Sequence, residues 1–179
     1  MSHLPRSADK KRGVLAWAFY DWANSAFATT VMAGFFPVFF KQFWSSGIAA
    51  TESTFRLGLA NSLASMLIVC LAPILGAIAD QAGVKKGLLF FFAAMGIVMT
   101  GCLYLVAMGN WVVALVLYGL GLLGFSGSNI FYDSLLIAVT EKPNYERVSA
   151  YGFALGYLGG GLLFAFNVLM TLFPEAFGL

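Results

Sequence analysis

Five long apolar stretches separated by short polar connections set the pattern of this chain. They lie at about residues 14–40, 57–80, 87–108, 111–140 and 148–173. About 20 apolar residues cross the hydrocarbon core of a bilayer as a helix, so each stretch predicts one spanning helix. Met108, Gly109 and Asn110 form the tightest connection, and Pro143-Asn144 marks a longer one. Polar residues interrupt the pattern at FYDWANSAF, residues 19–27. At about 100° per residue, Asp21, Asn24, Ser25 and Ala28 share one face of the first helix, with Phe19, Ala23 and Ala26 largely opposite. The fourth helix carries a second stripe, Ser126, Asn129 and Asp133, spaced i, i+3 and i+7. A charge at the centre of a membrane helix costs about 2.5–3.5 kcal/mol, so a retained carboxylate is expected to face a bundle interior or a watery path. The competing reading is a carboxylate only about 10 Å from the helix start that snorkels to the headgroups. In the fifth helix Gly152, Gly156 and Gly160 recur every fourth residue, with Gly159 and Gly161 beside them. Such a groove lets another helix backbone approach closely.

Composition sharpens this picture. Of 179 residues, 60% are hydrophobic and only 10% charged, with a mean hydropathy of +0.85. A soluble domain carries about 45–50% apolar and about 25% charged residues, so the chain is expected to be an all-α integral membrane protein. Sorting the basic residues orients it. With a cytoplasmic N-terminus, Arg6, Lys10, Lys11, Arg12, Lys85, Lys86, Lys142 and Arg147 lie inside, and only Lys41 and Arg56 lie outside. This asymmetry predicts an N-in orientation. Residues 1–13 become a cytoplasmic tail and 174–179 an extracytoplasmic end. The basic cluster before the first helix is then a topology signal, and no nucleic-acid module accompanies it. Cys70 and Cys102 lie within apolar runs and read as packing residues, while His3 stands alone in the tail. No metal site, no cofactor and no ATP-binding P-loop pattern is indicated. An integral membrane enzyme would need acids, histidines or a nucleophile gathered at one face, and the chain shows no such constellation.

Between the second and third stretches runs GAIADQAGVKK, residues 76–86. It resembles the cytoplasmic loop signature of the major facilitator superfamily, G-x-L-A-D-R-x-G-R-K-x. Gly76, Ala79, Asp80, Gly83 and Lys85 match; Ile78, Gln81 and Val84 depart from it. Pro143 and Arg147 occupy the places of that superfamily's Pro-x-x-x-Arg turn. YDWANSAF and RVSAYGFALGYLGG further resemble bacterial relatives of the yeast autophagy-related vacuolar amino-acid effluxer. The resemblance implies a fold of twelve helices in two six-helix halves, of which this chain supplies helices one to five. The sixth helix and the second half are then expected as missing partners, and the chain as a fragment. It further implies a multi-pass protein of the bacterial inner membrane that moves a small solute, amino acids among the candidates, by alternating access. Protons are the favoured coupling ion because intramembrane carboxylates can carry them.

In that fold, helices one and four line the central cavity, which gives both polar stripes a role. Asp80, supported by Lys85 and Lys86 and by the turn at Gly83, would latch against the other half in one conformation. A carboxylate at a helix C-terminus is disfavoured by the helix dipole, so the lysines or another helix N-terminus must compensate. Two departures bear on coupling: the fourth helix has no arginine, and Tyr157 stands where many antiporters carry proline. The twin FYD at 131–133 is not an inverted repeat, because such a repeat would put the two aspartates at opposite depths. The alternative is a structural or assembly subunit without transport of its own.

Overall fold

The computed structural model describes residues 7–79 and 83–178, and these are helical with short turns. Five helices among them are long and apolar enough to cross a membrane. They are built on α1 (Ser7–Ala26), which opens the span Lys10–Trp44, and on α2 (Ala50–Ala79), α3 (Lys85–Cys102), α4 (Trp111–Val139) and α5 (Tyr145–Leu172). The all-α membrane architecture expected from the pattern is therefore the one observed. Beyond Ala26 the first helix continues without a break to Trp44, so it extends past its apolar stretch at both ends. Much of that continuation is π-helical, over Phe27–Phe35 and again over Phe40–Trp44. Its hydrogen bonds skip five residues: Phe36 N–H reaches the Val31 carbonyl, and Ser45 N–H reaches that of Phe40 at 2.8 Å. Pro37 supplies a physical cause, because a proline ring collides with the carbonyl four residues earlier in a regular α-helix. Widening the preceding turns relieves that collision, as π-bulges do at other helix distortions.

Contacts divide the chain into two compact units. One comprises the chain up to Phe36 and from Leu135 onward; the other is Pro37–Ser134. In the second unit, Leu75 and Phe131 form a buried centre surrounded by Leu71, Leu88, Leu89, Phe92 and Ile130. The Phe92 and Phe131 rings stack at 5.9 Å. Beside them α3 and α4 approach to backbone distance. A Cβ added at Gly124 would lie 2.5 Å from Gly96 N and 2.7 Å from the Phe92 carbonyl oxygen. Only hydrogen fits there. At the far end of this unit Trp44 Nε1 donates to the Val106 carbonyl at 3.2 Å, and Gly109 N–H donates to that of Phe43 at 3.2 Å. Gly109 turns the chain into α4 with φ +83°, a conformation glycine adopts at low cost. Arg56, ion-paired to Glu52 on the same helix, lays its guanidinium 3.8 Å from the Trp111 ring centroid.

The first unit is built on one helix pair. α1 and the π-helical tract that follows it pack along α5. Trp17 and Ala18 of α1 are buried, as are Gly152, Gly156, Gly159 and Gly160 of α5. Large apolar side chains elsewhere stand exposed, Phe55, Phe90, Ile97, Val116 and Phe153 among them. In water each would forfeit about 25 cal/mol per Å² of apolar surface. Against lipid tails that cost vanishes, so their exposure fits a bilayer.

The α3–α4 contact yields a direct expectation. Gly124→Ala should destabilise the protein by at least about 1–3 kcal/mol, the usual range for overpacking, because the new methyl meets backbone that cannot move aside. Gly119→Ala, with nothing within 4 Å of its added Cβ, should be neutral. Thermal unfolding in detergent compares the two; equal midpoints would contradict the close approach.

Candidate functional site

Polar residues on two helices form the candidate site regions, each within its own unit. In the first unit the stripe of α1 meets the glycine face of α5. Asp21 and Ser25 project toward Gly156, where an added Cβ would lie 2.6 Å from Asp21 Oδ2 and 2.7 Å from Ser25 Oγ. Asp21, Asn24 and Ser25 are all partly buried. One turn further, the Thr29 hydroxyl lies 3.1 Å from the Gly160 carbonyl oxygen and 3.0 Å from that of Ser25. Its single proton serves one of these oxygens or is shared between them. The contact with Gly160 holds the π-helical tract beside α5 in the seam. Gly152 lies on the same buried face of α5, at the end nearer the turn from α4.

The seam also contains residues that helical spacing alone did not select. Gly159 faces Trp22, whose ring carbon Cγ would be 2.5 Å from an added Cβ. Gly161 has nothing within 4 Å. A contact face on a helix includes i+3 as well as i+4 neighbours, and that rule was the available signal for Gly159. Thr29, four residues after Ser25, was open to the same rule.

In the second unit the stripe of α4 points away from α3. Gly121, Gly124, Gly127, Ser128 and Phe131 are buried, and Gly124 and Gly127 meet Phe92 and Gly96 of α3. At about 100° per residue Ser126, Asn129 and Asp133 fall on the opposite side of α4. Ser126 and Asn129 are partly buried and Asp133 is exposed. Ser128, between them in sequence, is fully buried and donates to the Phe125 carbonyl at 2.8 Å. Its role is therefore internal to the helix.

Of the loop motif, Gly76 ends in the last turns of α2, partly buried. Gly83 adopts φ +94°, the left-handed conformation that favours glycine. Lys85 Nζ donates to the Ser134 carbonyl at 3.3 Å, placing a cation near the C-terminal end of α4, where the helix dipole is negative. Lys86 is exposed. Asp80 lies outside the described residues. Pro143 sits in the 3₁₀ turn Lys142–Asn144 and Arg147 in the first turn of α5, both exposed. Near this turn Lys10 Nζ pairs with Glu141 Oε1 at 2.7 Å. The hydrogen bond from Lys10, and then its charge, hold the Glu141 carboxyl below its ordinary range.

Membrane-length helices joined by short turns, with polar stripes among them, define the chain as a multi-span α-helical membrane protein. A family model described as "Vacuole effluxer Atg22 like" matches residues 47–145, more than half of the chain. The chain belongs to this family. It is 38% identical over 162 residues to the uncharacterized MFS-type transporter YxiO of Bacillus subtilis (strain 168), covering 90% of this chain and 38% of that protein. It is 26% identical over 176 residues to an uncharacterized protein of Aquifex aeolicus (strain VF5), covering 98% of this chain and 43% of that one. The chain thus spans roughly two-fifths of the length of these relatives. No solved structure matches it.

The Lys10–Glu141 pair gives a test of this end of the first unit. Because Glu141 titrates lower in the folded state, the contribution of the pair is present above the unfolded carboxyl pKa and fades as pH falls through the folded value. Lys10→Gln should move the Glu141 titration upward in carbon-13 carboxyl spectra. Both groups are exposed, so the melting temperature should hardly change. An unmoved titration would mean the pair does not form.

Proposed function

We propose that this chain works within a secondary active transporter of its relatives' length, moving a small solute by alternating access. Support comes chiefly from Asp21, a carboxylate kept partly buried in the α1–α5 seam of a membrane-length helix. Such a group is expensive in lipid and is found where it contacts an ion, a solute or water. Asp21, with Asn24 and Ser25, is the candidate contact for a cationic group or a transported proton. Asp133, exposed on the outward side of α4 with Ser126 and Asn129, is the second candidate. Amino acids are the solute class that the resemblance to vacuolar effluxers favours, and protons are the coupling ion that two carboxylates favour.

The orientation belongs to the same reading. The N-terminal tail and the connections at 81–86 and 141–147 face the cytoplasm of a bacterial inner membrane, following the basic residues. Asp80 acts there as a conformational latch, with Gly76, Gly83, Lys85 and Lys86 shaping the turn and Pro143 and Arg147 the neighbouring one. Transport, and not chemistry on the solute, is the activity.

Flux into proteoliposomes tests the proposal. Asp21→Asn keeps size and hydrogen bonding while removing charge, and should lower flux by at least about tenfold, the factor given by about 1.4 kcal/mol. Asp21→Glu should retain part of the flux. Asp133→Asn measured alongside distinguishes which carboxylate carries coupling. Normal flux at every pH in both Asn variants would overturn the transport role of the stripes. Asp80→Asn should lower flux with normal insertion; full flux would make Asp80 an ordinary loop charge. Impermeant thiol reagents should reach cysteines placed at Ser46 and Gly178 from outside. Labelling of the 81–86 connection from that side would reverse the topology.

A further inference from the structure

Four glycines of α5 in and beside the seam differ in what a side chain would meet. At Gly159 a Cβ would lie 2.5 Å from the Trp22 ring and 2.6 Å from the Trp22 carbonyl oxygen. At Gly160 it would lie 2.9 Å from Thr29 Oγ1 and 3.0 Å from the Ser25 carbonyl oxygen. At each position one of the three nearest atoms is a main-chain oxygen. At Gly161 it would meet nothing within 4 Å. Gly156 is different. Its three nearest atoms are Asp21 Oδ2 at 2.6 Å, Ser25 Oγ at 2.7 Å and Asp21 Cγ at 3.0 Å. Every one belongs to the end of a short polar side chain.

We propose that Gly156 is the positioning residue for Asp21: the volume its missing side chain leaves is where the carboxylate is held against α5. An aspartate on a helix has few staggered χ1 wells to choose from. A methyl group at 156 takes the occupied position, so the carboxylate must shift away from α5, by torsion within its well or into another. Ser25 shares the same volume, so the two side chains are constrained together. The helix pair itself need not separate, because no backbone atom is among the three nearest to the new methyl. Gly156 therefore sets where the charge lies, while Gly159 sets how closely the helices pack. The consequence for flux rests on the proposed transport role of Asp21; the positional effect does not.

A carboxyl-reactive carbodiimide applied to the protein in native membranes reads the position of Asp21 without reference to transport. Peptide mass spectrometry gives its modification rate relative to Asp133. Gly156→Ala should change that ratio by at least about threefold, with folded yield and melting temperature matching Gly161→Ala. Gly159→Ala should lower folded yield. An unchanged ratio in folded Gly156→Ala overturns the inference, whatever Asp21→Asn does to flux. A loss of folded yield equal to that of Gly159→Ala also overturns it, by making Gly156 a packing residue. A changed ratio with normal flux in Asp21→Asn sustains the positioning role and removes the transport role instead.

Discussion

Within a bilayer no water competes for a polar group, and lipid tails are as apolar as leucine. Helices in that solvent associate through close van der Waals contact and through hydrogen bonds that the protein must supply itself. Both helix pairs that organise this chain obey that constraint through glycine. α3 and α4 meet where Gly96 faces Gly124, and α1 meets α5 where Gly156, Gly159 and Gly160 face a stripe of polar and aromatic residues. At Gly124, Gly159 and Gly160 an added side chain would meet main-chain atoms, so there the backbones would have to part. The two pairs differ in what the closeness is used for. The α3–α4 contact is lined by phenylalanine and main chain, so it secures packing. The α1–α5 contact encloses a carboxylate and two hydroxyls.

That second use links energetics to chemistry. An interhelical hydrogen bond such as Thr29 to Gly160 contributes about 0.6 kcal/mol on average and up to about 1–2 kcal/mol in a membrane, so one bond does not lock the pair. The seam is held by several small contributions, and a carboxylate lies among them. In the proposed transport cycle, any change in the charge or occupancy of Asp21 acts on the same contacts that keep α1 beside α5. The π-helical tract after Ala26 lies next along the same helix and includes Thr29, which contacts Gly160 in the seam.

Much of this was legible in the sequence, because lipid imposes a simple code. Apolar length marked five spanning helices, and the i, i+4 glycines of α5 announced a face built for close approach. The polar stripe of α1 followed from the α-helical wheel as far as Ser25. Thr29, four residues after Ser25, continues it to Gly160, four residues after Gly156; the π-helical turns around it were not legible. The partner of the glycine face was illegible too, since a groove does not name the helix that fills it. Gly124 and Gly127 escaped notice for a related reason. Their meaning depends on Phe92 and Gly96, some thirty residues earlier, which only the tertiary contact brings near.

Ser25 lies at glycine distance from α5, and disulfide formation measures that closeness directly. In a background lacking Cys70 and Cys102, the pair Ser25→Cys and Gly156→Cys should oxidise readily in native membranes. An added Cβ at 156 lies 2.7 Å from Ser25 Oγ, within the reach that a disulfide requires. The pair Ser25→Cys and Gly161→Cys should stay reduced, because Gly161 has no neighbour within 4 Å. Peptide mass spectrometry of both pairs decides the matter. A crosslink at 156 and none at 161 is the expected result; no crosslink at 156, or equal crosslinking at both positions, would contradict the seam.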